Sequence, residues 1–312
     1  MRIPILSVSS ALLGAVAAVP MVAQRATSTT TVGISEAILQ NFKLFANVTA
    51  AAYCPSNEKA KAGSLITCPV GVCPQVEADA VTAIVGFGGS NDKSVANIKG
   101  FVGLNAAKSL IVVSFAGSGA TIRNWLANFS LIQIAYVGCK SCTVHSGFAK
   151  GWAERRTVIL DAVETALVAH PDFKVVITGH SIGGAVGTLA AAELRGMGIN
   201  ADIYSYGSPR VGNAAFANFV TAQPGGDFRM THENDPVAQI PPSWLGYAHT
   251  SPEFWLSGCN ATTDVYTKEQ VTVCEGVGSD GCNTKTGLIP IEGDAHNHYL
   301  GVITACQGPV DW

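Results

Sequence analysis

The chain has 312 residues, which is enough for one large domain or two modest ones. Of these residues 48% are hydrophobic and only 13% are charged, a balance that excludes an intrinsically disordered chain. The formal net charge of −3 excludes the basic surface that nucleic-acid-binding proteins carry, so we expect no nucleic-acid partner.

The first residues are typical of a secretory signal peptide. Arg2 supplies a positive start, Ile5–Val16 forms an apolar core, and small residues follow, so residues 1–19 are predicted to be removed. The apolar run is shorter than the ~20 residues that a membrane-spanning helix needs, and no later stretch is long enough, so we expect no transmembrane segment and a secreted, extracellular protein. Residues 20–32 are predicted to be a leader or short pro-segment. Residues 33–312 are predicted to form one domain, because no repeat or linker divides them.

Hydrophobic periodicity after the leader predicts strands that alternate with helices. The predicted elements are, in chain order, a helix at 34–52, strands at 81–88, 95–104 and 110–115, a helix at 152–169, a strand at 173–178, a helix at 186–195, a strand at 202–206, a helix at 213–223 and a strand at 228–231. This alternation predicts an α/β fold whose sheet is largely parallel at its centre.

A Gly-x-Ser-x-Gly motif connects the strand at 173–178 to the helix that follows it. A sharp turn at this place forces the serine into a strained conformation, and only small neighbours at Gly179 and Gly183 leave room for it. The hydroxyl of Ser181 would then lie at the carboxyl end of a strand and near the positive end of a helix, which can stabilise a developing oxyanion. A serine that only caps the helix is the alternative. The strand, both glycines and the helix together favour a nucleophile.

A serine nucleophile needs a base and an acid that orients the base, and in hydrolases with this turn the chain order is serine, acid, histidine. Asp235 is the best candidate for the acid because it follows the predicted strand at 228–231, although a turn residue before proline is the alternative. The base must come late, and periodicity does not choose between His296 and His298. Three other histidines are interpreted as structural: His180, His232 and His249.

Nine cysteines in a secreted chain predict disulfide bonds. Two close pairs could each close a tight loop, and a zinc site is disfavoured because no histidine cluster lies nearby. The expected disulfides are Cys68–Cys73 and Cys139–Cys142 from their spacing, Cys54–Cys306 between the two ends of the mature chain, and Cys274–Cys282 across a short loop, with Cys259 unpaired. Three Asn-x-Ser/Thr sequons fit a secreted glycoprotein: Asn47, Asn128 and Asn260.

The chain resembles the fungal class 3 lipases, the secreted family of the Rhizomucor and Thermomyces enzymes. The motifs that carry the resemblance are Gly179–Ala185, Tyr204–Asn213, His232–Val237 and His296–Tyr299, and the similarity extends over nearly the whole mature chain. It implies a single-domain α/β-hydrolase fold with a mostly parallel central sheet and helices on both faces. The family's terminal His-x-x-Tyr motif selects His296 as the base. The first three cysteine pairs also resemble the Thermomyces-type disulfide pattern.

The same resemblance implies an oxyanion hole and a lid. The backbone N–H groups of Ser118 and Ile182 are the expected oxyanion donors, although Ala116 replaces the family's usual arginine. The segment after them has an apolar face at helical spacing, and a permanently packed surface helix is the alternative to a lid that opens at a lipid surface. The residues of this face are Ile122, Trp125, Leu126 and Phe129.

These expectations combine into a secreted triacylglycerol lipase, a serine carboxylic ester hydrolase that needs no metal or organic cofactor. We expect it to act as a monomer on acylglycerols at a lipid–water interface. A feruloyl-type esterase acting on plant cell-wall esters shares the fold and the triad that the family implies, but its lid is more polar. A catalytically silent lipid-binding protein is the other alternative, and the presence of Ser181, Asp235 and His296 argues against it.

Overall fold

The computed structural model describes residues 30–89, 92, 96–117, 131–287 and 293–308. The α-helices in this part of the chain are α1 (Glu36–Ala52), α2 (Pro74–Ala78), α3 (Ser146–Ala169), α4 (Ile182–Gly196), α5 (Ala214–Ala222) and α6 (Gly293–Asn297). The strands are β1 (Thr30–Val32), β2 (Thr82–Phe87), β3 (Gly100–Asn105), β4 (Leu110–Phe115), β5 (Gln133–Ala135), β6 (Thr143–His145), β7 (Lys174–His180), β8 (Ala201–Tyr206), β9 (Gly212–Asn213), β10 (Asp227–His232), β11 (Tyr247–Ala248), β12 (Glu253–Leu256) and β13 (Val271–Cys274).

Nine of these strands form the main sheet, in the order β1-β13-β12-β10-β8-β7-β4-β3-β2. The five central strands, from β12 to β4, run parallel to one another, whereas the strands outside them pair antiparallel. The predicted sheet with a parallel centre is therefore confirmed. Because the carboxyl ends of parallel strands share one edge, the loops that leave β7, β8 and β10 meet there.

Helices cover both faces of the sheet, which buries the central strands on two sides and explains their continuous apolar runs. On one face, Phe42 and Phe45 of α1 pack against Tyr204 of β8. On the other face, α4 lies close to the sheet: a Cβ added at Gly187 would come within 3.2 Å of both Ile177 and Ile203. Two separate apolar cores result, one on each side.

A second, antiparallel sheet has the order β11-β9-β6-β5 and was not predicted. Its strands are only two or three residues long, so they show no usable alternation of apolar and polar residues.

Some predicted boundaries were wrong. Helix α3 begins at Ser146 rather than at 152, because the His145 imidazole accepts hydrogen bonds from the backbone N–H groups of Gly147 and Phe148 and so caps the first turn. Strand β3 begins at Gly100 and not at 95. Residues 30–32 form β1, which pairs with β13.

The described residues contain four disulfide bonds, which link the pairs that the sequence led us to expect. They are Cys54–Cys306, Cys68–Cys73, Cys139–Cys142 and Cys274–Cys282, and Cys259 is free and exposed. Within the described ranges, no helix combines the length and the apolar character that crossing a bilayer requires.

Candidate active site

Ser181 lies in the tight turn between β7 and α4, with φ 57° and ψ −130°. Residues other than glycine rarely adopt a positive φ, and such strain concentrates at functional sites. A Cβ added at Gly179 would lie 2.4 Å from the carbonyl oxygen of Gly183, and one at Gly183 would lie 2.6 Å from that of Ala116. The turn is therefore as crowded as the motif indicated, and both glycines are needed for its geometry.

The carboxylate of Asp235 is completely buried, three residues after the end of β10. Its Oδ1 accepts the backbone N–H of Val237 at 2.8 Å. Its Oδ2 lies 2.8 Å from Nδ1 of His296 and 2.5 Å from the phenol oxygen of Tyr299. Because a carboxylate only accepts, Nδ1 carries the proton of a neutral His296 ring, and Nε2 is then the basic nitrogen.

Burial, and then the negative charge of Asp235, raise the pKa of the Tyr299 phenol well above its usual value. The phenol therefore stays protonated and donates to Asp235. The carboxylate thus has one donor on Oδ1 and two on Oδ2, which hold it in a single orientation toward the imidazole.

Gly207, in the loop after β8, lies directly against this group. Its φ is +55°, and an added Cβ would come 2.6 Å from Oδ2 of Asp235 and 2.9 Å from both Nδ1 of His296 and the oxygen of Tyr299. The acid, the base and the tyrosine leave no room for a side chain at this position.

Two further histidines hold the backbone of the helix that carries His296. His180 Nε2 lies 2.8 Å from the carbonyl oxygen of His296, and His232 Nδ1 lies 2.9 Å from that of Ala295. Burial lowers the pKa of both rings, and the proximity of His296 lowers that of His180 further. Both rings are therefore neutral, and each donates its single N–H to a carbonyl of α6.

The other nitrogen of each ring must then accept a hydrogen bond, and in both cases a tyrosine provides it. The Tyr53 hydroxyl lies 2.6 Å from Nδ1 of His180. The Tyr266 hydroxyl lies 2.8 Å from Nε2 of His232, which is closer than its other acceptor, the Glu233 carboxylate at 3.3 Å. The sequence indicated that both histidines are structural, but it did not indicate that they support the base. Their positions, next to Ser181 and at the end of β10, were the only available signal.

The two late histidines occupy different environments. His296 is completely buried beside Asp235, whereas His298 is partly exposed and its Nδ1 lies 2.9 Å from Oδ1 of Asp264. The structure therefore places His296, the histidine of the His-x-x-Tyr motif, beside Asp235, whereas His298 contacts Asp264. His249, the third histidine interpreted as structural, is buried and donates to the carbonyl of Ala238 at 2.6 Å.

The expected oxyanion donors are only partly described. Ile182 is the first residue of α4, so its N–H lies at the positive end of that helix, directly after Ser181. Ala116, at the place of the family's arginine, is buried, and its N–H donates to the carbonyl of Lys99 at 2.9 Å. Ser118 and the predicted lid face lie outside the described residues, and so does the sequon at Asn128.

The described residues contain one group of three potential metal ligands, Cys54, Cys68 and Cys306. All three sulfurs are in disulfide bonds, so they cannot supply thiolate ligands. The strained serine, the buried histidine and the buried carboxylate together form an arrangement that is suited to acyl transfer.

Comparison with known proteins identifies the family of this chain. The model of the class 3 lipases matches residues 112–244, and that of the lipase 3 N-terminal region matches residues 21–83. A secreted mono- and diacylglycerol lipase of Fusarium solani is 42% identical over 86% of this chain and 78% of its own. The chain belongs to the class 3 lipase family. A secreted mono- and diacylglycerol lipase of Penicillium cyclopium is 36% identical over 88% of this chain and 89% of its own.

Solved structures of class 3 lipases share the fold. The mono- and diacylglycerol lipase of Aspergillus oryzae superposes with a TM-score of 0.80 at 36% identity, over 88% of this chain and 99% of that chain. A lipase of Rhizopus microsporus var. chinensis gives 0.74 at 26% identity, over 92% and 94%. The expected α/β-hydrolase fold and the extracellular location are therefore confirmed, and this class 3 lipase is a secreted ester hydrolase.

Proposed function

We propose that this class 3 lipase cleaves acylglycerol esters through an acyl-serine intermediate, with Ser181 as the nucleophile, His296 as the base and Asp235 as the acid that orients it. The observation that carries the proposal is the buried hydrogen bond between His296 Nδ1 and Asp235 Oδ2. This hydrogen bond lies at the edge of the sheet where β7 ends and Ser181 follows. The ring of His180, the residue before Ser181, is 4.3 Å from the ring of His296 between centroids, so the base lies beside the serine turn.

The reaction follows from the roles of these groups. Nε2 of His296 takes the proton of the Ser181 hydroxyl as the oxygen attacks the ester carbonyl, and Asp235 stabilises the imidazolium that forms. The N–H groups of Ile182 and Ser118 bind the oxyanion of the tetrahedral intermediate. The intermediate collapses to the acyl-serine, and His296 protonates the departing glyceride alcohol. Water activated by His296 then releases the fatty acid.

Three single substitutions test these roles. Ser181→Ala and His296→Ala should each lower kcat by ~10⁴-fold or more, because loss of a triad member removes the nucleophile or its activation. His298→Ala is the matched control and should keep substantial activity. Labelling with an organophosphonate should modify Ser181. An Ser181→Ala enzyme that retained roughly a tenth of wild-type activity would remove this residue from the nucleophile role.

We propose mono- and diacylglycerols as the preferred substrates. The supporting observation is that relatives at 42% and 36% identity, matched over most of their length, are named mono- and diacylglycerol lipases. Triacylglycerol, the expectation from sequence, is the second candidate. Initial rates on mono-, di- and triolein emulsions of matched droplet area would distinguish them, with methyl ferulate as the non-lipid ester. A higher rate on triolein would reverse the preference, and a higher rate on methyl ferulate would favour the esterase.

We also propose that residues 122–129 act as a lid, on the basis of their apolar face. Each of the four side chains contributes about 1.5–3 kcal/mol when buried, so exposing this face is favourable only at a lipid surface. Activity on a short-chain glyceride should therefore rise disproportionately above its solubility limit. Replacing Trp125 and Phe129 with serine should suppress this rise and affect a soluble p-nitrophenyl ester much less. A smooth saturation curve that these changes leave unaltered would identify an ordinary packed helix.

A further inference from the structure

The loop between β12 and β13 carries an Asn-Ala-Thr sequon at Asn260, whose side chain is exposed. The Oδ1 atom of Asn260 accepts the backbone N–H of Thr262 at 3.1 Å and the Thr262 hydroxyl at 3.0 Å. These contacts help to fold the sequon into a turn, and of the two atoms of the side-chain amide only the oxygen takes part. Within the described part of the chain, the amide nitrogen, which is the atom that carries an N-glycan, makes no hydrogen bond to the protein.

The sequon at Asn47 has a different environment. Asn47 lies inside α1, is half-buried, and its Oδ1 accepts the backbone N–H of Gln75 at 3.2 Å. The amide therefore lies where α1 meets α2, and it has less free space around it than the exposed amide of Asn260. The structure therefore separates the two described sequons: one amide faces solvent in a loop, and the other forms part of helix packing.

The residue before Asn260 is the free cysteine, Cys259, which is exposed. Its backbone N–H donates to the Glu233 carboxylate at 2.8 Å, and the Gln270 amide donates to its sulfur at 3.2 Å. These contacts hold the thiol at the surface, on the loop that contacts Glu233, two residues before Asp235. A free surface thiol in an oxidising compartment can form disulfides between molecules.

We propose that Asn260 is N-glycosylated and that its glycan shields the neighbouring Cys259 thiol from other proteins. The donor is a lipid-linked oligosaccharide diphosphate of the secretory pathway. A bond forms between Nδ2 of Asn260 and the anomeric carbon of the sugar, and the bond from that carbon to the diphosphate oxygen breaks. The lipid diphosphate leaves with the electron pair, and one amide proton passes to a base.

The glycan is attached as the chain enters the secretory compartment. The chain must then fold with the glycan in place. At Asn260 the folded loop keeps its hydrogen bonds, because only the oxygen of the amide is used. The attached sugar is bulky and hydrated, so it blocks the approach of a second protein to the adjacent residue. The proposal depends on secretion and is independent of the catalytic roles proposed above.

The modification is tested on full-length protein secreted from a eukaryotic host. Glycopeptide mapping after enzymatic release in ¹⁸O water should show labelled aspartate at position 260 and none at position 47. Asn260→Gln and Thr262→Ala should both remove the glycan at this site. Thr263→Ala is the matched control: Thr263 also donates to Asn260, at 3.0 Å, but lies outside the sequon, so the glycan should remain. Unmodified Asn260 in the secreted protein would overturn the proposal.

Shielding is tested by the rate at which a large maleimide-polymer reagent alkylates the native protein. Asn260→Gln, or wild-type enzyme deglycosylated after folding, should react several-fold faster than glycosylated enzyme and should form more disulfide-linked dimer on non-reducing gels. Cys259→Ser on the same background should abolish both effects. Activity on a soluble ester should stay at the wild-type level and reports that the variant is folded. Equal alkylation rates with and without the glycan would refute shielding.

Discussion

At the scale of single residues, the acid–base pair depends on a position that has no side chain. Gly207 has a left-handed backbone and contacts the pair directly, so Gly207→Ala adds both backbone strain and a collision with Asp235 and His296. Gly198 also has a positive φ, of +87°, but an added Cβ there would meet nothing within 4 Å. Gly198→Ala therefore isolates the strain, which costs about 1–2 kcal/mol.

We expect Gly207→Ala to lower kcat about 100-fold, because a displacement of about 1 Å in a catalytic group has an effect of that size. Gly198→Ala should leave kcat unchanged while lowering the denaturation midpoint. Steady-state kinetics on a soluble ester and urea titrations measure the two effects. Equal kcat values for the two variants would show that the collision at position 207 relaxes without moving the acid or the base.

The Tyr299 hydroxyl is one of the three donors that hold the Asp235 carboxylate. Tyr299→Phe keeps the ring and removes one of the two donors to Asp235 Oδ2. A hydrogen bond to a charged group contributes about 1.5–3 kcal/mol, so the free energy of unfolding should fall by that amount. Because His296 would lose part of its orientation, kcat should fall while KM stays unchanged. A variant that lost stability at full kcat would limit the role of Tyr299 to folding.

At the scale of elements, the short 3-10 helix Cys282–Thr286 holds the loop that carries the acid. The side-chain amide of Asn283 donates to the carbonyl oxygens of Glu233 and Asp235, at 2.9 and 3.2 Å. Its backbone N–H donates to the buried Glu253 at 3.1 Å. The Cys274–Cys282 disulfide ties the start of this helix to the end of β13, so it fixes the position of the acid loop indirectly.

Replacing both Cys274 and Cys282 with serine should therefore affect catalysis as well as stability. We expect the free energy of unfolding to fall by about 2–3 kcal/mol, as for other disulfides that close short loops, and kcat to fall several-fold. The double serine variant of Cys139 and Cys142 is the control, because that disulfide lies beside β6, in the small sheet. Equal losses of kcat in the two double variants would contradict the role of the 3-10 helix.

Elements were predictable where they carry a long apolar run. Strand β4 has the predicted bounds, because all six of its side chains are buried on a two-sided sheet. The small sheet was missed because strands of two or three residues carry no periodicity. Among the site residues, Ser181 could be predicted from its sequence neighbours, which form the Gly-x-Ser-x-Gly motif. The support that His180 gives to the base could not be predicted in this way, because its partners Tyr53 and His296 lie 127 and 116 positions away along the chain.

At the scale of the whole molecule, buried histidines make stability depend on pH. Burial lowers the pKa of His180, His232 and His249 below the ordinary value of 6.5. Below about pH 6.5 the unfolded chain binds protons at these positions and the folded chain does not, so stability falls as the pH falls. Asp227 opposes this trend, because burial raises its pKa to about 6 and the folded state therefore takes up a proton between about pH 6 and 4.

Three histidines lower the free energy of unfolding as the pH falls and one carboxyl raises it, so we expect a net loss of stability between pH 7 and pH 5. Each uncompensated proton contributes about 1.4 kcal/mol per pH unit at most. Urea titrations at pH 7.5, 6 and 5 measure the slope. His249→Gln should flatten it by removing one titrating group, and this residue lies outside the proposed triad. A midpoint that stays constant over this range would mean that other groups compensate for the histidines.

The disulfide between Cys54 and Cys306 joins two residues that are 252 positions apart. It closes most of the polypeptide into a covalent ring, and this ring contains Ser181, Asp235 and His296. A protease that cuts one surface loop inside the ring converts it into a linear chain but releases no fragment. The enzyme works outside the cell, where proteases are common, and it can therefore be nicked once and still travel as a single molecule until a reductant opens the bridge.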